Sequence, residues 1–186
     1  MAAQLLLALD YMHKDKLFVH RDVKPENVFV QYKTRDDDGN EYLRIVLGDF
    51  DVAKHYEQPG ALVYSRYGTS RYAAPELSEN ERSTFDGTKA DVWSLGCTLH
   101  AMARPDLTQT FITQENTREG RFESVGSANL TTLLKDLLKY RPQERATCEE
   151  LLRNPILKPY ARYLIQQTDV GSALSARQAK PGFLGE

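Results

Sequence analysis

The sequence predicts a mainly helical α+β fold with a few short β-strands gathered in its first third. Apolar residues recur at helical spacing in several windows, as at Leu5, Leu9 and Met12 and at Leu133, Leu134, Leu137 and Leu138. β-branched and aromatic residues concentrate in three short runs, residues 17–19, 28–30 and 43–47. A chain of 186 residues, 41% hydrophobic and 27% charged, is most economically one domain with a substantial core.

The elements follow in order. Residues 2–14 read as a helix of good helix formers, and Leu6 and Leu7 widen its apolar face enough to place it deep in a core. Met1 opens directly into helical sequence with no cap, as if the element were cut through. The acidic run 34–40, ending in Gly39-Asn40, predicts an exposed hairpin loop between the second and third strands, a surface insertion. Residues 55–70 show little periodicity. An apolar helix is expected over 91–102, with Asp91 near its start, and an amphipathic one over 130–140. A final helix is predicted over 147–153, ending before Pro155. It opens on a capping box, with Thr147 followed three residues later by Glu150. The tail after Thr168, rich in Gly, Ser, Ala and Gln, is expected to be mobile.

Composition excludes several function classes. A net charge of −2 does not favour a nucleic-acid partner. Two cysteines, Cys97 and Cys148, cannot build a disulfide framework and suit a reducing, cytoplasmic or nuclear compartment. No apolar run is long enough to span a bilayer, so no membrane partner is expected. The opening residues lack the basic start and cleavage site of a signal peptide. His13, His55 and His100 show no metal-ligand spacing with the cysteines, so no zinc site is expected.

Three motifs carry the chemistry: His20-Arg21-Asp22-Val23-Lys24-Pro25-Glu26-Asn27, then Gly48-Asp49-Phe50-Asp51, then Ala74-Pro75-Glu76. A solvated charged turn explains an isolated Arg-Asp pair but not this ordered set. The set resembles the catalytic loop, the D-F-G element and the A-P-E element of eukaryotic protein kinases. The resemblance covers residues 1–156 and implies the large C-terminal lobe of that fold, with its short strands at the catalytic face and 157–186 as a partly mobile extension. It implies ATP and Mg²⁺ as cofactors and a protein as substrate. Asp22 then orients the acceptor hydroxyl and takes its proton, Lys24 sits against the γ-phosphate, and Asn27 and Asp49 ligate Mg²⁺ through oxygen. Lys24 and Thr69 match the serine/threonine class. His20 is expected to be structural, and Arg21 to pair with a phosphate placed on Ser65 by an upstream kinase. Glu76 and Arg145 match a buried ion pair, and the Asp91 carboxylate matches one that holds the catalytic-loop backbone. Trp93 and Cys97 are expected in the core.

The sequence also departs from the family. The glycine-rich loop, the strand lysine with its glutamate, and the adenine hinge have no counterpart, so the small lobe is expected to be missing and the activity of the chain alone to be weak or absent. The loss is expected to uncover apolar surface around the first helix, including some of Leu5, Leu6 and Leu7. Asp51 stands where the family has glycine, which bears on switching of the segment more than on metal chemistry. Three functional readings follow: phosphoryl transfer from ATP to protein serine or threonine; a non-catalytic kinase-like scaffold or pseudokinase fragment; and a metal-dependent hydrolase using Asp22 and Asp49, which leaves Glu76, Asp91 and Arg145 unexplained.

Overall fold

The computed structural model describes residues 1–35, 39, 41–58, 62–63, 68–79, 84–104, 125–167 and 176–185. Helix α1 (Ala2–Asp10) buries Leu5, Leu6, Leu7 and Leu9. A fully buried leucine contributes roughly 1.5–3 kcal/mol of transfer free energy, so this helix anchors the core. The helix widens into one π-helical turn, Tyr11–Lys16, which ends on Leu17 in the left-handed conformation at φ 57°. The Leu17 carbonyl accepts the Tyr56 N–H at 2.8 Å, and the Tyr56 hydroxyl donates to the His13 carbonyl. These tertiary bonds hold a backbone that a leucine does not favour by itself.

Among the described residues four strands form two small antiparallel sheets. β1 (Phe18–Val19) pairs with β4 (Lys54–His55), and β2 (Val28–Arg35) pairs with β3 (Glu41–Leu47). The second pair is longer than its apolar residues predict, because Tyr32↔Arg44 through Arg35↔Glu41 continue the ladder beyond a register shift between Val30 and Tyr32. β3 sends Ile45 and Leu47 into the core while Leu43 stays exposed.

α2 (Glu76–Glu79) leads towards α3 (Gly87–Ala103), which is buried nearly all round. α3 begins before Asp91, because the Asp86 carboxylate accepts the N–H groups of Thr88 (3.0 Å) and Lys89 (3.3 Å) and caps it there. Asp91 therefore lies inside the helix. α4 (Ala128–Leu137) is capped by Ser127 and buries Leu133, Leu134 and Leu137 against α3. α5 (Cys148–Leu152) carries the expected capping box, with the Glu150 carboxylate accepting the Thr147 N–H at 2.7 Å and the Thr147 hydroxyl accepting the Glu150 N–H at 3.2 Å. It is not the final helix. α6 (Lys158–Gln166) follows, with Pro159 in its first turn, where a missing N–H costs nothing.

One expectation on exposure is corrected. Leu5, Leu6 and Leu7 are all covered, because α3, α5, α6 and β3 close around α1. The exposed apolar side chains among the described residues include Phe29, Val30, Tyr32 and Leu43 on the hairpin and Phe50 beyond it. Within the extension, residues 176–185 are seated on α1 and α5, with Gln178, Phe183 and Leu184 buried. The part of the expected mobile tail at 168–175 lies outside the described residues, as do 36–38 and 40 of the acidic loop. Among the described residues no helix is long and apolar enough to cross a membrane.

Candidate active site

The catalytic-loop motif runs from β1 through a single 3₁₀ turn, Pro25–Asn27, into β2. Its backbone is held from below by α3. The buried Asp91 carboxylate accepts the N–H of His20 at Oδ2 (2.7 Å) and that of Arg21 at Oδ1 (2.8 Å). The His13 ring meets the same carboxylate at 2.8 Å from the π-helical turn. Thr98, two α3 turns further on, donates to the Val23 carbonyl at 3.2 Å. The resemblance pointed to Asp91 in this role; His13 was missed, and nothing in local sequence marks it apart from its place at the end of α1.

His20 is completely buried. Its Nδ1 accepts the Asp22 N–H at 3.3 Å, which leaves Nε2 to donate to the Gly48 carbonyl at 3.1 Å. The ring also lies 5.3 Å from that of Phe50. A histidine committed at both nitrogens ties the loop to the Gly48-Asp49-Phe50 segment. This is the structural role expected for it.

The Asp22 side chain is the meeting point of the site. Lys24 Nζ donates to Oδ2 at 2.6 Å and to the Thr69 hydroxyl at 3.2 Å. Thr69 donates to Oδ1 through its N–H (3.0 Å) and its hydroxyl (2.9 Å). Asn27, itself buried, donates through Nδ2 to the Asp22 carbonyl (2.8 Å) and to Oδ2 (3.2 Å). Burial by itself raises the Asp22 carboxyl. The Lys24 and Thr69 hydrogen bonds and the lysine charge outweigh it and hold the group below the usual carboxylate range. The hydrogen bond that Lys24 donates to Asp22 leads the causes that raise the Lys24 ammonium.

Asp49 follows Gly48, whose N–H donates to the Asn27 carbonyl at 3.0 Å, so the β2–β3 register sets Asp49 beside Asn27. Asp49 is exposed and takes φ 63°, a left-handed conformation that Asp tolerates better than most residues. Asp51 has no positive φ, so the backbone there is one that needs no glycine. Both partners of the Asn27 amide nitrogen are acceptors, which fixes its NH₂ towards Asp22. Among the described residues neither Asn27 Oδ1 nor the Asp49 carboxylate accepts a hydrogen bond. Two uncommitted hard oxygens on neighbouring backbone segments are the donor type Mg²⁺ takes, its remaining ligands coming from water and phosphate. No cluster of three or more acidic, His or Cys side chains among the described residues offers a closed metal cage.

Gly68 was also missed. Its φ is +117°, and a Cβ there would stand 2.2 Å from the Arg21 carbonyl oxygen. Only glycine lets the chain pass this close and deliver Thr69 to Asp22. Arg21 itself has φ 67° and donates through Nε to the Val52 carbonyl at 2.5 Å. Ser65, the expected phosphate acceptor, lies outside the described residues, as do Tyr64 and Tyr67.

The expected ion pair is present. Arg145, with a fully buried side chain, meets Glu76 at 2.8 and 3.1 Å and donates to the carbonyls of Lys89, Lys139 and Tyr140. Trp93 and Cys97 are core residues, and burial pushes the Cys97 thiol up to about 12. An apolar cavity of about 520 Å³ lies between α1 and β3, lined by Leu7, Met12, Phe18, Ile45 and Phe50 among others. None of Asp22, Lys24, Asn27 and Asp49 lines it, so it neighbours the site only through Phe50.

A family model for the protein kinase domain matches residues 1–157. The chain is 31% identical over 179 residues to serine/threonine-protein kinase ppk34 of Schizosaccharomyces pombe, covering 93% of this chain and 48% of that one. It is 32% identical over 174 residues to serine/threonine-protein kinase Nek4 of Mus musculus, covering 89% and 20%. Serine/threonine-protein kinase Nek7 of Arabidopsis thaliana is 33% identical over 167 residues, covering 85% and 26%. The chain thus spans about half or less of the length of these relatives.

Proposed function

Because this chain belongs to the protein kinase family, we propose that its Asp22 cleft orients a protein serine or threonine hydroxyl for phosphoryl transfer from ATP with Mg²⁺. The observation that carries this reading is the Asp22 carboxylate, fixed by Lys24, Thr69 and Asn27, in a loop that also presents Asn27 Oδ1 and leads to the Asp49 carboxylate, neither of which accepts a hydrogen bond among the described residues.

A phosphoryl-transfer site mainly positions reactants and offsets charge. Asp22, ionised because its donors hold its carboxyl low, would accept a hydrogen bond from the incoming hydroxyl and take its proton as that oxygen bonds to the γ-phosphorus and the bond from phosphorus to the bridging oxygen breaks, releasing ADP. Lys24 already bridges Asp22 and Thr69, and from there its ammonium offsets charge on the transferred phosphoryl group. Asn27 Oδ1 and the Asp49 carboxylate would hold the divalent ion. Bound Mg·ATP supplies the phosphoryl group and its charge compensation. Thr69 keeps the carboxylate plane aligned with the acceptor.

The finer reading is that these residues form the large lobe of the domain. The exposed Phe29, Val30 and Phe50 beside the cleft support it, since apolar side chains at a nucleotide face ordinarily have a cover. On this reading the purified chain alone binds ATP weakly and turns over slowly.

The test pairs ATP calorimetry with transfer of radiolabel to serine and threonine peptides, and adds Mn²⁺ as a paramagnetic probe read by NMR. Mn²⁺ is expected to broaden the resonances of Asn27 and Asp49, and Asp49→Ala to abolish the broadening. Label transfer, however slow, should vanish in Asp22→Asn. Broadening that persists in Asp49→Ala, or label transfer unchanged in Asp22→Asn, would overturn the assignment. Fast turnover by the chain alone would overturn the large-lobe reading and leave the site intact.

A further inference from the structure

The stretch that matches the family ends at residue 157, yet the most heavily bonded arginine on the α1 face lies well beyond it. Arg177 donates through Nη2 to Asp10 (2.5 Å) and Asp15 (3.0 Å), and its Nη1 stands 3.5 Å from Glu149. Gln178, 1% exposed, donates to the Leu7 carbonyl at 3.0 Å and to Asp10 at 2.8 Å. The Arg177 guanidinium lies 5.1 Å from the centre of the Phe183 ring. Arg153, at the end of α5, donates to the Phe183 carbonyl at 3.0 Å, and Phe183 and Leu184 are buried.

The pattern begins in α1. Asp10 closes an otherwise apolar helix and is only 1% exposed. A buried carboxylate without donors is costly enough that it is rarely left unpaired. The nearby cations of the family-matched stretch are spent elsewhere: Lys14 and Arg153 both go to Glu149. Among the described residues only Arg177 and Gln178 donate to the Asp10 side chain, and its Oδ1 remains buried with no partner at all. Helix α1 is thus built to receive a cation that its own domain does not provide. The arriving guanidinium is partly exposed, so its ion pairs are open to screening by salt.

We propose that α1, the turn after it and α5 form a docking surface for a basic-apolar peptide, an Arg-Gln pair followed by Phe-Leu, and that residues 176–185 of this chain are its ligand, seated in cis and exchangeable. Asp10, Asp15 and Glu149 read the guanidinium. The Leu7 carbonyl and Asp10 read the amide. The apolar seat takes Phe183 and Leu184.

The full chain carrying Arg177→Ala and Phe183→Ala, titrated with a labelled synthetic peptide of residues 176–185, tests this. The double variant should bind the peptide saturably, while the wild type, already occupied, should not. Amides of residues 7–16 should exchange roughly tenfold faster in the variant and slow again when peptide is added. Binding should disappear at about 0.5 M salt. If the double variant does not fold, Asp15→Lys serves, since its side chain is partly exposed. It should speed amide exchange across residues 176–185. Unchanged exchange there, peptide binding to neither chain, or equal binding to both would overturn the proposal. A concentration-dependent dimer abolished by Arg177→Ala would overturn seating in cis in favour of exchange between two copies.

Discussion

Asp91 and Arg21, seventy positions apart in sequence, are joined by a 2.8 Å hydrogen bond from the Arg21 N–H to Asp91 Oδ1. Arg21 has φ 67°, a conformation costing a non-glycine residue of order 1–2 kcal/mol. The helix therefore holds a loop that strain would otherwise relax. The same carboxylate also serves the His20 N–H and the His13 ring.

Asp91→Ala removes the acceptor of three buried groups. An unsatisfied buried donor costs about 1–3 kcal/mol, and the three are coupled, so an overall loss of about 3–5 kcal/mol is expected. Urea unfolding measures it. Asp91→Asn keeps one acceptor oxygen and should recover part of the loss. A change below about 1 kcal/mol in Asp91→Ala would show that the loop is held by other contacts.

Arg145 makes the second long-range tie. Its side chain is wholly buried and is paired with one carboxylate and three carbonyls. Glu76→Ala leaves that charge stranded, and about 3–5 kcal/mol of stability should go with it. Arg145→Lys should not recover function as a pair, because an ammonium cannot make the two-pronged contact to Glu76 and still reach Lys89, Lys139 and Tyr140. Thermal midpoints of the two variants, compared with wild type, check the point. Near-wild-type stability in Arg145→Lys would mean that charge alone suffices.

Gly68→Ala attacks the site from the opposite side. The new Cβ falls 2.2 Å from the Arg21 carbonyl at a φ of +117°, so the segment must move and carry Thr69 with it. Backbone strain of about 1–3 kcal/mol is expected locally, with the core of α1, α3 and α4 intact. The Asp22 carboxyl should then titrate closer to its ordinary value, since the Thr69 bonds help to lower it. Carboxyl-selective NMR reads this directly. Thr69→Val should give a smaller shift in the same direction, because the N–H bond survives. Identical titration of Asp22 in Gly68→Ala and wild type would show that the segment tolerates the methyl group.

The site was more legible than the frame around it. His20–Asn27, Asp49, Thr69, Glu76, Asp91 and Arg145 each sit in sequence patterns that fix chemistry by residue type and order. The residues that escaped notice act through backbone or tertiary geometry. Gly68 matters for a close approach to Arg21, and His13 for a bond across 78 positions, neither of which has a local signature. Leu17 adopts a left-handed φ without the Gly or Asn that announces one, because Tyr56 holds the turn. α6 was missed because Pro155 was read as the end of the last helix, whereas Pro159 sits in the first turn of a further one. Some leucines of α1 were expected to be uncovered by the loss of the small lobe, whereas helices and a strand distant in sequence cover all of them.

The pair of Asp22 and Lys24 links the site to pH. In the folded chain the carboxyl titrates below its unfolded value of about 3.9. The stabilisation it contributes is therefore complete above that value and is lost as pH falls through the lower folded value. In Lys24→Met the ammonium and its hydrogen bond disappear, while burial, which pushes the carboxyl up, remains. The Asp22 titration should move upward, and the acid limb of stability should shift towards neutral pH with it. Urea midpoints and carboxyl NMR collected between about pH 2 and 6 follow both quantities in one sample. An upward NMR shift with no change in the acid limb would separate the electrostatics of the cleft from the stability of the fold. No shift in either would mean that Thr69 and Asn27, not Lys24, keep Asp22 ionised.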